Sequence, residues 1–410
     1  MSTAAKAALP VDNVAAGWAP GSTLTSRVAK LLPRIAELAA ETDANRRVSD
    51  EAIEALRQAG MWRVYVPKAY GGSEERIGEV TRAIRMVAKA CPSTAWVIGV
   101  LCAHPFITSL YSRKLQDEFW ADGPDTLAST SGLPINRARI VDGGIRVSGR
   151  FPFSSGSVNA SWAQVGVSVP DVSQTNSERF RTAYFCIVPR SDYEIDDDWH
   201  VMGLAGTASR TLVFKDVFIP SYRMEMSGAM VNRFTKGEGL HAGALWNAGY
   251  GATIGTALTP VFLGIADAML EMITKKVQGR TVPGTRTPTN SIPNSMRLSE
   301  STLEMRACTL LWDDYIKRIE DRAEAGILPD EEFTANAGAT GIYVQELATR
   351  TIDRLFAVAG GTSVRLDSPI QRFWRDAHTG RSHIANEYDA SAQAFGRHLL
   401  GLAPMGRWGG

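Results

Sequence analysis

The feature that most constrains the fold of this chain is that the spacing of its apolar residues changes twice. Across residues 24–119 apolar side chains recur at steps of three and four, the period of an amphipathic helix. Across residues 126–220 the pattern turns to short β-rich runs closed by prolines, which is typical of strands. Residues 240–402 are helical in pattern again. This order of helices, β region and helices predicts an α+β fold that is mainly α.

Local signals predict several element boundaries. Ser49, followed by two acidic residues, predicts the start of a helix, and Gly60 predicts its end. Asp142-Gly143-Gly144 between two β-rich runs predicts a hairpin turn. Glycine, proline and threonine at residues 279–293 and the stretch 326–330 predict breaks between long C-terminal helices. One apolar stripe on a first helix is predicted from Val28, Leu31, Ile35 and Leu38.

Charge and cysteine content exclude several classes of protein. The 410 residues carry a net charge of +1 from 44 basic and 43 acidic residues, without a basic stripe, so neither nucleic acid nor a membrane surface is expected as a partner. The four cysteines have no metal-ligand or disulfide spacing and are expected to be small buried hydrophobes. The apolar stretch 242–273 is expected to be a buried helical segment. Because no signal-peptide core is visible, a cytoplasmic location is expected.

Three segments carry a resemblance to a known family. They are VPKAYGG (residues 66–72), WHVMGLAGTASRTLVFKDVFIP (199–220) and AGGTSVRLDSPIQRFWRDAHTG (359–380). In this order and at these intervals they resemble the acyl-CoA dehydrogenase superfamily. The resemblance implies an N-terminal helical domain, a central β-barrel-like domain and a C-terminal four-helix bundle. We expect these at residues 24–125, 126–225 and 226–410, after a flexible tail at 1–23.

Within that superfamily the chain is more similar to flavin-dependent monooxygenases of the hydroxyphenylacetate hydroxylase type. The segments that carry this similarity are CPSTAWVIGVLCAHPF (91–106), GRFPFSSGSVNASW (149–162) and DAHTGRSHIANEYDA (376–390). The similarity implies the oxygenase component of a two-component system, with FMNH2 or FADH2 as reduced flavin and O2 as co-substrate. It also implies hydroxylation of an aromatic, phenolic or polycyclic substrate through a flavin C4a-hydroperoxide. A homotetramer is expected, with flavin sites completed by a neighbouring subunit.

The chain departs from the acyl-CoA dehydrogenases at their catalytic base. The common position of that carboxylate, eight residues beyond the Arg-Asp pair at 375–376, is here Ile384, which cannot remove a proton. Glu387 lies three residues further on, so a dehydrogenase with a displaced base stays open as a second interpretation. Oxygenation of an amine nitrogen or a thiophene sulfur also stays open, and so does a non-catalytic flavin-binding scaffold.

The resemblance implies three catalytic residues. His383 is expected over the flavin ring, as a donor to the hydroperoxide, rather than as a plain core or interface histidine. Ser155 is expected at the flavin N5 edge, with Ser154 as the alternative, although a serine beside glycine is also common in turns. His104, with an imidazole pKa near neutrality, is expected to accept a phenolic proton. The alternative for His104 is a histidine favoured by the dipole at a helix C-terminus.

Further residues are expected to bind the cofactor and the substrate. The expected substrate contacts are Trp96, which also fits a plain core position, His104 and Thr130, together with the loops at residues 129–136 and 226–239. The expected flavin contacts are Phe153, Ser155, Trp199, Thr207, Ser209, Arg280 and His383, with Arg286 as the alternative for the phosphate. No metal signature and no nicotinamide fingerprint are present in the sequence. A separate NAD(P)H:flavin reductase is therefore the expected partner.

Overall fold

A computed structural model describes residues 23–171, 173, 181–279, 281 and 292–402 of the chain. Its N-terminal part is helical, as the apolar spacing predicts. The helices are α1 (Thr23–Ala29), α2 (Leu32–Ala44), α3 (Asp50–Gln58), α4 (Ile77–Ala90), α5 (Pro92–Ser109) and α6 (Arg113–Phe119). Apart from Thr23, the expected N-terminal tail lies outside the described residues.

Capping and proline positions determine where these helices begin and end. Ser49 Oγ accepts a hydrogen bond from the backbone N–H of Ala52 at 3.2 Å, which confirms the predicted start of α3. Gly60 follows the end of α3 with a φ of 82°, a conformation that strains other residues. The prediction of a single helix for the first apolar stripe is wrong, because the stripe is divided between α1 and α2. Pro33, in the first turn of α2, has no N–H with which to continue α1.

The central region forms one seven-stranded sheet. Its strands are β1 (Ala128–Val141), β2 (Gly144–Ser154), β3 (Trp162–Pro170), β4 (Arg181–Pro189), β5 (Glu194–Asp196), β6 (Arg210–Pro220) and β7 (Met224–Met226). Their order in the sheet is β5-β6-β2-β1-β3-β4-β7. The predicted hairpin joins β1 to β2, with a φ of 74° at Gly143.

Strand β1 holds the two halves of the sheet together. It pairs antiparallel with β2 near Val141 and parallel with β3 from Ala128. The expected loop at residues 129–136 is therefore wrong, because these residues lie inside β1, where β3 pairs with the backbone on both sides of a register shift between Ser131 and Asn136.

The C-terminal region is helical. Its helices are α7 (Ser227–Asn232), α8 (Ala244–Asn247), α9 (Gly249–Gly255), α10 (Thr259–Gln278), α11 (Ile292–Glu324), α12 (Glu331–Ala359), α13 (Pro369–Arg381) and α14 (Tyr388–Leu399). Helices α10 to α13 pack together as a bundle. The predicted break at 326–330 separates α11 from α12, whereas residues 280 and 282–291 of the other predicted break lie outside the described residues. The expected loop at 226–239 is partly wrong, since it contains α7.

The helices of the two ends of the chain share one hydrophobic core. Val87 of α4, Ile98 of α5, Phe262 of α10 and Ile352 of α12 are all buried in it. The sheet has a separate core. The segment Gly249–Gln278 is long and apolar enough to cross a membrane, but 83% of its most apolar window is buried inside the fold, as expected for a core helix. All four cysteines are buried and free, which confirms that prediction.

Candidate active site

Three elements that are distant in sequence meet around the hydroxyl of Ser155. Ser155 directly follows β2, Trp96 lies on α5, and Ser209 lies in the turn before β6. Trp96 Nε1 donates to Ser155 Oγ at 3.2 Å, and Ser155 Oγ lies 2.7 Å from Ser209 Oγ. All three side chains are buried. Thr207 Oγ1 extends this row of hydrogen-bonded hydroxyl groups, 2.7 Å from Ser209 Oγ and 2.8 Å from the carbonyl oxygen of Leu204.

The carbonyl of Leu204 determines the direction of the hydrogen bonds between the three hydroxyl groups. A carbonyl oxygen only accepts, so Thr207 donates its single hydroxyl hydrogen to Leu204. Ser209 must therefore donate to Thr207, and Ser155 must donate to Ser209. Ser155 accepts from Trp96 and donates to Ser209, which leaves one lone pair on its oxygen for a further donor.

His383 also contacts Trp96. The two ring centroids are 5.5 Å apart with an interplanar angle of 74°, an edge contact. His383 begins the short turn that follows α13, and its Nδ1 accepts a hydrogen bond from the backbone N–H of Ala385 at 3.1 Å. Because Nδ1 accepts, the proton of the neutral ring is on Nε2, which is then a hydrogen-bond donor.

Hydrogen bonds to both the N–H and the carbonyl oxygen of Leu204 hold this residue in place. Its N–H donates to Asp376 Oδ1 of α13 at 2.6 Å, and its carbonyl accepts from Trp199 Nε1 at 3.1 Å as well as from Thr207. Leu204 itself has a left-handed φ of 52°. Asp376 is buried, and this burial raises the pKa of its carboxyl to about 7. The bundle thus positions the loop that carries the hydroxyl chain.

Phe153 and Trp199 form an aromatic pair at the mouth of this cluster. Their ring centroids are 6.2 Å apart, edge to face. Phe153 is 58% exposed and has a left-handed φ of 65°, which is unusual for a residue other than glycine. An exposed aromatic ring held in a strained backbone conformation is a feature of binding sites rather than of packing.

His104 is in a different environment from the one expected of it. Its Nδ1 lies 2.7 Å from the carbonyl oxygen of Val100, so Nδ1 carries the proton, and its Nε2 is buried without a hydrogen-bond partner among the described residues. Burial lowers the pKa of His104 to about 4. The expectation of a pKa near neutrality is therefore wrong, and the ring is a neutral acceptor. Its alternative, a helix C-terminus, is also wrong, because α5 continues to Ser109.

Three residues that the sequence offered as candidates lie outside this cluster. Thr130 is partly buried in β1 and donates to Gln164 Oε1 at 3.4 Å, outside the Ser155 cluster. Ser154 bonds to Ser129 at 2.9 Å, so Ser155, and not its neighbour, belongs to the cluster. Glu387 is exposed, without the burial that would suit a catalytic base.

Arg280 and Arg286 lie outside the described residues. Across the ranges that the structure describes, no group of histidine, cysteine and acidic side chains is arranged to hold a metal ion.

Asp376 is the site residue that reasoning from the sequence did not select. It belongs to the Arg-Asp pair that served only to locate the missing base, at positions 375 and 376. The available signal is that Asp376 shares the buried face of α13 with Ile370, Phe373 and Ala377. A carboxylate on a buried face requires a specific partner.

A large cavity lies next to this cluster rather than in it. Its volume is about 880 Å³, and it is enclosed by α7, α9, α10, α12 and α14. Ala385 and Asn386, in the turn that begins at His383, are part of its wall. We call this cavity the bundle cavity. The turn that begins at His383 therefore contributes residues both to the cluster and to the wall of the bundle cavity.

Comparison with known proteins assigns the chain to a family. The models described as acyl-CoA dehydrogenase, N-terminal domain, and acyl-CoA dehydrogenase, C-terminal domain, match residues 25–119 and 256–388. The oxygenase component of p-hydroxyphenylacetate 3-hydroxylase from Acinetobacter baumannii is 33% identical, over 94% of this chain and 90% of that protein. The oxygenase component of an FADH(2)-dependent resorcinol hydroxylase from a Rhizobium strain is 32% identical, over 95% and 97%.

A solved structure indicates the same family as these relatives. The crystal structure of 3-HSA hydroxylase from Rhodococcus sp. RHA1 superimposes with a TM-score of 0.89 at 29% identity, over 94% of this chain and 99% of that one. The expected acyl-CoA dehydrogenase-like fold is thereby confirmed.

Proposed function

Because this chain belongs to the acyl-CoA dehydrogenase superfamily, among the oxygenase components of flavin-dependent hydroxylases, we propose that it hydroxylates an aromatic, phenolic compound. It is a reduced-flavin-dependent monooxygenase. Bound reduced flavin supplies two electrons to dioxygen, so that one oxygen atom enters the substrate and the other leaves as water. The observation that supports this proposal most is the cluster of Ser155, Trp96 and His383 beside an exposed aromatic pair.

The residues of the cluster fit the reduced form of the flavin. The remaining lone pair of Ser155 can accept from an N–H donor, and the reduced isoalloxazine ring offers one at N5, where the oxidised ring offers an acceptor. Phe153 and Trp199 provide apolar surface for the ring system, and Thr207 and Ser209 hold Ser155 in its orientation. We assign the flavin phosphate to Arg280, as the family resemblance implies.

His383 is proposed as the donor to the oxygen that is to be transferred. Its neutral ring presents an N–H at Nε2 because its Nδ1 is engaged by Ala385. Trp96 packs against it and is itself buried, which keeps water from that side of the ring. A donor in such a dry environment is stronger than one in water.

His104 and Thr130 are proposed to bind the phenol. The unpartnered Nε2 of His104 is an acceptor for a phenolic O–H, and such a bond would make the aromatic ring more electron-rich without complete proton transfer. Thr130, on strand β1, donates its hydroxyl hydrogen to Gln164, so its oxygen is left as an acceptor for the same phenol. An electron-rich ring is the better nucleophile toward an electrophilic oxygen.

The proposed partners are a separate NAD(P)H:flavin reductase and further copies of this chain. The relatives are named oxygenase components, which implies a second component that reduces the flavin. A homotetramer is supported by an apolar stripe on α11, where Met296, Leu303 and Leu310 are more than half exposed at seven-residue intervals. The proposed reduced flavin is FMNH2 or FADH2.

The experiment that tests the function supplies the purified chain with NADH, a flavin reductase, FMN or FAD and a panel of phenols under isotopically labelled dioxygen. We expect a hydroxylated product that contains one labelled oxygen atom, detected by mass spectrometry. Hydrogen peroxide as the sole product with every phenol, and with both flavins, would count against the proposal.

A further inference from the structure

We propose that Asp376 is a positioning residue for the reaction: by holding Leu204 it sets the row of hydroxyl groups in the orientation that makes Ser155 an acceptor toward reduced flavin. This inference rests on the proposed function and adds to it a residue that acts through a loop rather than on the flavin itself. The residues that connect Asp376 to Ser155 are Leu204, Thr207 and Ser209.

Residues 202–208, called here the Leu204 loop, have a backbone that needs support from outside the loop. Leu204 and Ala208 both have left-handed φ angles, of 52° and 46°. The Cβ atom makes this conformation unfavourable in residues other than glycine, so it persists only where the surrounding structure holds it. Thr207 donates to the carbonyl oxygen of Leu204, and a relaxed Leu204 would turn that carbonyl away. The direction of the hydroxyl row therefore depends on what holds Leu204.

Two neighbouring residues of α13 hold the Leu204 loop on either side of Gly203. Asp376 Oδ1 accepts from the N–H of Leu204 at 2.6 Å, and the guanidinium of Arg375 donates to the carbonyl oxygen of Met202. The backbone of Gly203 lies so close to α13 that an added Cβ would be 2.3 Å from the carbonyl oxygen of Arg375. The Arg-Asp pair thus fixes the chain immediately before and after Gly203.

The polar contact of Asp376 is with the backbone of the loop rather than with a cation. Its neighbour Arg375 donates instead to Asp43 Oδ2 of α2 at 3.1 Å, and within the described part of the chain Asp376 forms no ion pair within 4 Å. Asp376 is 2% exposed, and burial raises its pKa to about 7. A carboxyl oxygen accepts from an N–H whether or not the group is protonated, so the bond to Leu204 is available in both states.

Other residues of the Leu204 loop pack against α2 and α5. A Cβ added to Gly206 would lie 2.3 Å from Thr42 Cγ2 and 2.9 Å from Ser93 Cβ. This packing limits how far the loop can move. Among the described residues, however, Asp376 is the acceptor of the Leu204 N–H. We therefore expect loss of this bond to turn the peptide of Leu204 while the loop stays in place.

The test compares the affinities of the purified chain for reduced and oxidised flavin, measured by anaerobic and aerobic fluorescence titration. Asp376→Leu is similar in size but has no acceptor, so we expect the ratio of affinities for reduced over oxidised flavin to fall by about two- to tenfold. Asp376→Asn retains an acceptor oxygen and should keep the wild-type ratio. Ile352→Ala on α12, which loses only core packing, is the matched control and should also keep it.

A double-mutant cycle separates positioning from a general loss of stability. Ser209→Ala already breaks the row between Leu204 and Ser155, so the addition of Asp376→Leu should change the ratio no further. Thr207→Val removes the bond to the Leu204 carbonyl and leaves Asp376 in place. It should lower the ratio as much as Asp376→Leu does, and it keeps the inference testable if Asp376→Leu does not fold.

Three results would overturn the inference: a wild-type ratio in Asp376→Leu, a wild-type ratio in Thr207→Val, or additive effects of Asp376→Leu and Ser209→Ala. An equal fall of the ratio in Asp376→Asn and Asp376→Leu would also contradict it, because the acceptor oxygen would then be irrelevant. These measurements need no turnover. Failure of the proposed function appears separately, as absence of labelled product from every phenol in the reductase-coupled assay, so the two failures are distinguishable.

Discussion

Ser155 donates its hydroxyl hydrogen to Ser209 across 2.7 Å, although the two residues belong to different strand ends. The direction follows from the Leu204 carbonyl at the end of the same chain of hydrogen bonds. Ser155 is thereby held as an acceptor toward anything that approaches from the open side. This orientation gives the site a chemical preference for a ligand with an N–H, as in reduced flavin, before any ligand is bound.

The first prediction concerns Ser209→Ala. The variant leaves the Ser155 hydroxyl without its acceptor, so Ser155 becomes able to donate as well as accept. Loss of one hydrogen bond of this kind costs about 0.5–1.5 kcal/mol. We expect the ratio of affinities for reduced over oxidised flavin to fall by about two- to tenfold, measured by anaerobic and aerobic fluorescence titration. Ser154→Ala, which removes the bond to Ser129 instead, is the control and should keep the wild-type ratio.

The second prediction separates the two nitrogen atoms of His383. In His383→Asn the amide oxygen replaces Nδ1 as acceptor for Ala385, but the Nε2 donor is lost. We expect unchanged thermal stability, while the fraction of NADH that yields hydroxylated product falls at least about tenfold in favour of peroxide. His383→Gln, which retains a donor near Nε2, should recover part of the coupling. Equal coupling in His383→Asn and wild type would contradict the proposed role.

The third prediction concerns His104 Nε2, which is buried without a hydrogen-bond partner among the described residues. A buried polar atom without a partner destabilises a protein by about 1–3 kcal/mol. We therefore expect His104→Phe to raise the free energy of unfolding by about 1 kcal/mol and to weaken binding of phenol. Denaturant unfolding and ligand titration measure the two effects. His104→Gln keeps an acceptor and should bind phenol better than His104→Phe. A destabilised His104→Phe variant would show that Nε2 has a partner in solution.

The fourth prediction concerns pH and Asp376. Its pKa is raised from 3.8 to about 7 in the folded chain, so the folded state binds more protons than the unfolded state between these values. The contribution of Asp376 to the free energy of unfolding therefore decreases as the pH rises from 3.8 to about 7. Above about pH 7 this contribution is at its lowest. In Asp376→Asn the amide stays neutral and its oxygen can still accept from Leu204.

The measurement for Asp376 compares unfolding free energies at about pH 5 and about pH 8. We expect the Asn variant to gain about 2–4 kcal/mol relative to wild type over that interval. Asp367→Asn, at an exposed position, is the control and should show no such gain. A parallel pH dependence of Asp376→Asn and wild type would mean that the carboxyl is ionised in the fold.

Much of this architecture could be predicted because it depends on local patterns. The helix start at Ser49 and the hairpin at Gly143 rest on neighbouring residues only, and both are confirmed. The family motifs predict Ser155, Thr207 and Ser209 as site residues, and the structure brings them together. The apolar stripe does not predict the division between α1 and α2, because the stripe is continuous across Pro33, where the helix is interrupted.

What could not be predicted depends on contacts between distant parts of the chain. The low pKa of His104 comes from its burial, which neither its helix nor its neighbour Pro105 reveals. The bond between Asp376 and Leu204 joins residues 172 positions apart. The bundle cavity is lined by glycines of α9 and α12, which lie on different helices. The spacing of apolar residues in the sequence does not predict which glycines come together in the fold.

The most direct test of the central claim is stopped-flow spectroscopy of the chain loaded with reduced FMN or FAD and mixed with oxygenated buffer. We expect a long-lived absorbance that differs from both reduced and oxidised flavin, and that decays faster in Ser209→Ala and in His383→Asn than in wild type. Immediate return to oxidised flavin and free peroxide, with and without a phenol and with both flavins, would contradict the claim that this chain is a reduced-flavin monooxygenase.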